Sequence, residues 1–126
     1  MDRKDTVCVV DDDEAVRDSM RVLVESYGYP VRDYPSAMAF LGDHRESEPG
    51  CLLLDLHMPG MDGLELVELL RRRRIRTPAI IITGRHDPMQ IQRVKEAGVL
   101  ALLNKPVTDD ELMGWVARAL DGAGSH

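Results

Sequence analysis

The chain has 126 residues, 44% of them hydrophobic and 30% charged, proportions that suit one soluble domain around one core. Only 4% are aromatic, so that core is aliphatic, and a formal net charge of −6 argues against a nucleic-acid surface spread over the domain. No apolar stretch approaches the roughly 20 residues of a membrane span, and the opening Met1-Asp2-Arg3-Lys4-Asp5 lacks a secretory apolar segment, so the expected location is cytoplasmic.

Val7 to Val10 is a short continuous apolar run, as expected of a strand buried on both faces. A helix follows over 14–27, with Val16, Met20, Leu23 and Tyr27 recurring at helical spacing and Gly28 as its stop. Pro30 to Tyr34 reads as a weaker strand. Pro35-Ser36 opens a second helix, Ser36 as its cap and Ala37, Phe40 and Leu41 facing inward. Pro49-Gly50 turns the chain into a third strand, Cys51 to Leu54. The proline and two glycines of 57–63 exclude a helix there.

A third helix is expected over 64–74, its glutamates early and its arginines late, the sense that complements a helix dipole. Arg71 to Arg74 and Arg76 therefore read as a hydrated helix end rather than a nucleic-acid site. Pro78 to Thr83 is a fourth strand. Asp87-Pro88 starts a fourth helix carrying Ile91 and Val94 and ending at Gly98. Val99 to Leu103 is a fifth strand, and Thr108 through Glu111 has the spacing of a capping box before a last helix. The expected domain spans 1–121, and the small residues of 122–126 read as a flexible tail, either a terminus or a severed linker. Cys8 and Cys51 both fall inside strand-like runs and read as small buried hydrophobes, with no zinc-ligand spacing around them.

Strands alternating with helices imply right-handed crossovers and a parallel sheet covered on both faces. In such an open sheet, ligands bind beyond the carboxyl ends of the strands. The first strand ends at Asp11-Asp12-Asp13, the third at Asp55, the fourth at Thr83-Gly84 and the fifth at Asn104-Lys105-Pro106. Carboxylates crowded onto one rim raise each other's proton affinity or need a cation between them. Oxygen donors of this kind suit magnesium. With that cation and Lys105 neutralising the cluster, Asp55 is placed as a nucleophile toward an anionic phosphoryl group, and Thr83 as a donor to one of its oxygens. Asp13 reads as a helix cap.

These motifs resemble the receiver domain of bacterial two-component response regulators. They are Val10-Asp11-Asp12-Asp13, Leu54-Asp55-Leu56-His57-Met58-Pro59-Gly60-Met61-Asp62-Gly63, Ile82-Thr83-Gly84 and Asn104-Lys105-Pro106. Val16-Arg17 with Ser19, Leu64-Glu65-Leu66 and the Thr83-Gly84 pair are most similar to the FixJ-like subfamily. The resemblance implies a flavodoxin-like α/β fold, a single doubly wound five-stranded parallel sheet in the order 2-1-3-4-5 flanked by five helices. It implies that a sensor histidine kinase phosphorylates Asp55, with magnesium held directly by Asp12 and Asp55, through water by Asp11, and by the backbone carbonyl of His57. Lys105-Pro106 is expected to be cis. The chain would catalyse only its own phosphorylation and dephosphorylation, and would not itself touch nucleic acid or membrane. It would act alone, as a phosphorelay intermediate, or as the receiver part of a transcription regulator. Family members form homodimers or bind partners through the fourth helix, fifth strand and fifth helix, a face to which Trp115 could contribute beyond ordinary packing.

The departure from the family pattern is Leu102, where receivers carry Tyr or Phe; output is therefore expected to pass through the 84–88 loop and the fourth helix. His57 and Arg85, each two residues beyond a key position, are expected to set the lifetime of the phosphoryl group. Three other readings fare worse. A receiver-like module that works without phosphorylation draws some support from Leu102 but is opposed by the intact acid pair, Asp55, Thr83 and Lys105. A haloacid-dehalogenase-like phosphatase would carry a second aspartate where His57 stands, and a dinucleotide-binding domain would end its first strand in glycines rather than acids.

Overall fold

The structure, a computed structural model, describes residues 5–43, 49–85 and 87–124. Strands and helices alternate in chain order: β1 (Val7–Val10), α1 (Glu14–Ser26), β2 (Val31–Tyr34), α2 (Ala37–Asp43), β3 (Cys51–Asp55), α3 (Gly63–Arg72), β4 (Ala79–Thr83), α4 (Pro88–Glu96), β5 (Ala101–Asn104) and α5 (Asp109–Gly124). The strands form one parallel five-stranded sheet in the order β2-β1-β3-β4-β5, as expected.

The apolar strand runs are continuous because each face of the sheet needs its own core. Successive side chains alternate between them. Cys8, Val10, Leu52, Leu54 and Ile81 meet Phe40, Leu64, Leu70 and Val94 on the α2–α3–α4 side. Val7, Val9, Leu53, Ile80 and Ile82 meet Met20, Val24, Leu112 and Val116 on the α1–α5 side. Leu52, Leu53, Leu54, Ile80 and Ile81 are fully buried, each contributing on the order of 1.5–3 kcal/mol by leaving water. Trp115 packs against the α1–α5 core with the Arg118 guanidinium 4.8 Å from its ring centroid, which makes it a packing residue. Cys8 and Cys51 are buried and free, and burial pushes both thiols up to about 12, so neither is reactive.

Helix starts are set by side-chain caps. Asp13 accepts from the amides of Ala15 and Val16, Ser36 from Ala39, and Asp87 from Met89 and Gln90. Of the expected capping box on α5, the Glu111 amide donates to Thr108 Oγ1 at 3.1 Å. A reciprocal box stands instead at α3, where Asp62 and Glu65 each accept the other's backbone N–H.

Four details differ from expectation. Tyr27 is the C-cap of α1 and 52% exposed, because the stripe runs out one residue past the helix. Arg71 is not simply hydrated: its guanidinium donates to the carbonyls of Ile75, Thr77 and Gly98, tying the end of α3 to the turns before β4 and β5. β5 starts at Ala101 rather than Val99. Helix α5 continues to Gly124, into the stretch read as a tail, while residues 125 and 126 lie outside the described residues.

Candidate functional site

The carboxyl edge of the sheet carries the acids because β1 and β3 are neighbours in register, Val10 beside Leu54. One residue further on, Asp11 follows β1 and Asp55 closes β3. Asp11, Asp12 and Asp55 each offer an oxygen, and these atoms lie within 4.8 Å of one another. Asp13 points elsewhere, committed to capping α1.

Asp11 is the most constrained of the group. It is 1% exposed, its amide donates to Tyr34 O at 3.1 Å, and its Oδ1 accepts the Asp13 amide at 2.9 Å. Its other oxygen, Oδ2, is buried with no hydrogen-bond partner among the described residues. Burial raises the Asp11 carboxyl above its usual range, the Asp13 N–H opposes that, and the charge of Asp55 adds to it. A buried carboxylate with an unsatisfied oxygen, grouped with two more carboxylates, is a poor arrangement for a bare fold. It is a good one for a hard divalent cation, so the residues present fit magnesium.

Lys105 reaches the same point from β5. Its amide donates to Thr83 O at 2.9 Å, and its Nζ stands 3.5 Å from Asp55 Oδ1. The Lys105-Pro106 peptide is cis, as expected. Thr83 closes β4 next to Asp55, fully buried, through a ladder in which the Leu56 amide donates to Ile82 O. Its hydroxyl is engaged with Arg85: Oγ1 donates to Arg85 O and accepts the Arg85 amide, both at 3.1 Å. The Arg85 side chain is exposed beyond it. A β-carbon on Gly84 would sit in ordinary contact with the Lys105 side chain, at 3.7 Å, so that edge stays open.

His57 lies two residues past Asp55, half-buried, and its Nε2 is buried without a hydrogen-bond partner among the described residues. Leu102 is not brought to the acids; it packs half-buried against the α2–α3–α4 core. Two features went unmarked in the sequence. Gly63 presses its backbone against Asp55, and Arg17 reaches back from α1 to the carbonyl of Asp11. A glycine straight after a capping aspartate, and a cation in the first turn of a helix where the dipole disfavours it, were the available signals.

Comparisons with known proteins identify the family and the fold. The family profile of the response regulator receiver domain matches residues 7–117. The chain is 38% identical over 120 residues to the response regulator protein TodT of Pseudomonas putida, an alignment covering 94% of this chain and 52% of TodT. It is 36% identical over 121 residues to the transcriptional regulatory protein FixJ of Bradyrhizobium diazoefficiens, covering 95% of this chain and 58% of FixJ. The chain thus spans about half the length of these curated relatives. Among solved structures it resembles a CheY-like response regulator receiver domain protein from Methanospirillum hungatei JF-1, with a TM-score of 0.88 at 28% identity over 95% of this chain and 96% of that one. Among the described residues no helix is long and apolar enough to cross a membrane.

Proposed function

The chain belongs to the response regulator receiver family, and on that footing we propose that Asp55 accepts a phosphoryl group from a sensor histidine kinase in a magnesium-dependent reaction. The observation that carries this reading is the convergence of the Asp11, Asp12 and Asp55 oxygens within 4.8 Å, with Lys105 Nζ 3.5 Å from Asp55. Asp12 and Asp55 would hold magnesium directly, Asp11 through water, and the His57 carbonyl would complete the protein ligands. The cation supplies positive charge that offsets both the carboxylates and the incoming phosphoryl oxygens.

An Asp55 oxygen forms the new P–O bond as the P–N bond of a phosphohistidine breaks, and the departing imidazole takes a proton from solvent. The ammonium of Lys105 stabilises the charge on the transferring group from the other side. A groove of about 420 Å³ beside Lys105, lined by Val16, Met20, Leu23, Pro106 and Leu112, offers the kinase an apolar seat next to the acceptor. Chemistry is confined to the domain's own phosphorylation and dephosphorylation, with His57 and Arg85 governing how long the phosphoryl group lasts.

The switch starts at Thr83. Its hydroxyl proton is shared with Arg85 O at 3.1 Å, so a phosphoryl oxygen that captures this proton releases the Arg85 carbonyl. With Leu102 where the ring would be, the freed loop and α4 carry the change to the α4–β5–α5 face. Met89 and Leu100, exposed apolar residues there, suit contact with a second copy or another protein. The domain acts alone, as a relay, or as the receiver half of a regulator of the length of TodT and FixJ. Acetyl phosphate with magnesium, read by intact mass, tests the central step: an adduct present in wild type and lost in Asp55→Asn supports it.

A further inference from the structure

Arg17 stands where helix energetics do not want it. It occupies the first turn of α1, whose positive dipole end disfavours a cation, yet its side chain is only 13% exposed. What occupies it is a pair of contacts that join three elements. Nη1 donates to the backbone carbonyl of Asp11 at 2.8 Å, and Nε donates to Asp33 Oδ2 on β2 at 3.2 Å. Asp33 lies beside Val9 in the sheet, one strand outward from the acids. A planar guanidinium suits such a bridge, because its donors point in fixed directions and its charge is matched by Asp33.

The consequence falls on Asp11. β2 holds its amide, Arg17 its carbonyl and the Asp13 amide its Oδ1, which leaves the buried Oδ2 unpartnered among the described residues, in a carboxylate grouped with those of Asp12 and Asp55. Carbonyl and carboxylate belong to one residue, so fixing the first limits how far the second can swing. The same clamp sets the exit of the chain toward Asp12. We propose that Arg17, backed by Asp33, is the positioning residue of the cation site: it holds the Asp11–Asp12 backbone in the orientation that directs both carboxylates toward a divalent ion, Asp12 in direct contact and Asp11 through water. The proposal rests on the receiver reading and deepens it. Partners that orient metal ligands from behind typically change affinity by about 10–100-fold.

The experiment is a calorimetric magnesium titration of wild type, Arg17→Ala, Arg17→Lys and Asp33→Asn. It is paired with acetyl phosphate loading rates as a function of magnesium concentration, and thermal melts confirm that each variant folds. Arg17→Ala is expected to weaken magnesium binding by about tenfold. The magnesium needed for half-maximal loading rises in step, while the loading rate at saturating magnesium stays near that of wild type. Arg17→Lys, which keeps the charge and one donor, recovers part of the loss. Asp33→Asn, which keeps an acceptor for Nε, binds closer to wild type than Arg17→Ala does. Should the alanine variant fail to fold, Arg17→Gln replaces it, with the same weakened affinity expected. Wild-type magnesium affinity in a folded Ala or Gln variant overturns the proposal and leaves the receiver reading standing. A wild-type protein that takes up no magnesium overturns both.

Discussion

Gly63 and Asp55 touch through their backbones so closely that a β-carbon at residue 63 would fall 2.6 Å from the Asp55 carbonyl oxygen. The Gly63 amide also donates to Leu56 O at 3.0 Å, and the Asp62–Glu65 capping box locks the helix start just there. The first turn of α3 is therefore seated directly on the residue that carries the proposed acceptor carboxylate. Gly63→Ala must displace backbone rather than a flexible side chain, and is expected to destabilise the fold by about 1–3 kcal/mol and slow acetyl phosphate loading. Gly114→Ala is the control: nothing lies within 4 Å of its β-carbon, so in the middle of α5 it is expected to stabilise by about 0.5–1 kcal/mol. Denaturant unfolding distinguishes the two, and equal midpoints for Gly63→Ala and wild type would contradict the contact.

The end of α3 carries two arginines with opposite roles. Arg74 has φ 63 and closes a Schellman turn, its amide donating to Arg71 O and that of Ile75 to Leu70 O. A residue with a β-carbon is disfavoured in that conformation. Arg74→Gly is expected to raise stability by about 1 kcal/mol, net of the freedom glycine adds to the unfolded chain. Arg71→Ala removes charged donors from the Ile75 and Thr77 carbonyls and is expected to lower stability by about 1–3 kcal/mol. Opposite signs in one unfolding series are the outcome sought.

Asp11 makes the metal-free fold sensitive to pH in an unusual direction. Burial first, and then the charge of Asp55, hold its carboxyl above 3.8 against the opposing Asp13 N–H. Its favourable contribution is fully present below 3.8 and is lost as pH rises through the higher folded value. At neutral pH the ionised, buried group weighs against folding. Asp11→Asn is therefore expected to melt at higher temperature than wild type in chelator at neutral pH, with the gain shrinking as the solution is acidified. The same variant should lose most of the stabilisation that magnesium gives wild type. A gain independent of pH would point to packing rather than charge.

Phosphorylation should be felt at Thr83 before anywhere else. With beryllofluoride and magnesium, faster amide exchange is expected over 84–88 and α4 in wild type. The response should be absent in Thr83→Ala, whose side chain cannot trade Arg85 O for a phosphoryl oxygen. Unchanged exchange from 84 to 102 in wild type would refute this route for output. His57→Ala and Arg85→Ala are each expected to alter the decay rate of the phosphorylated protein while leaving its loading on Asp55 intact; decay unchanged in both would remove them from that role.

Most of the sheet and the acid cluster were legible in the sequence, for a physical reason. Strands buried on both faces must be apolar throughout, so Val7–Val10 and Cys51–Leu54 announce themselves, and whatever follows such runs lies on the carboxyl rim. What stayed hidden depends on distance in space rather than along the chain. The Arg17 bridge needs β2 to lie beside β1. The carbonyls that Arg71 satisfies are supplied by two separate turns, while its neighbours Arg72 to Arg74 look identical in sequence. The glycine-rich end of α5 offers no apolar stripe to extend, yet the helix runs on to Gly124.

Asp55 is proposed as a phosphoryl acceptor made ready by a divalent cation and the Lys105 ammonium. Intact-mass spectrometry after incubation with acetyl phosphate measures it most directly, comparing wild type with magnesium, wild type with chelator, and Asp55→Asn with magnesium. One added phosphoryl group is expected in the first sample and none in the other two. An adduct that persists in Asp55→Asn, or that forms equally well in chelator, would contradict it.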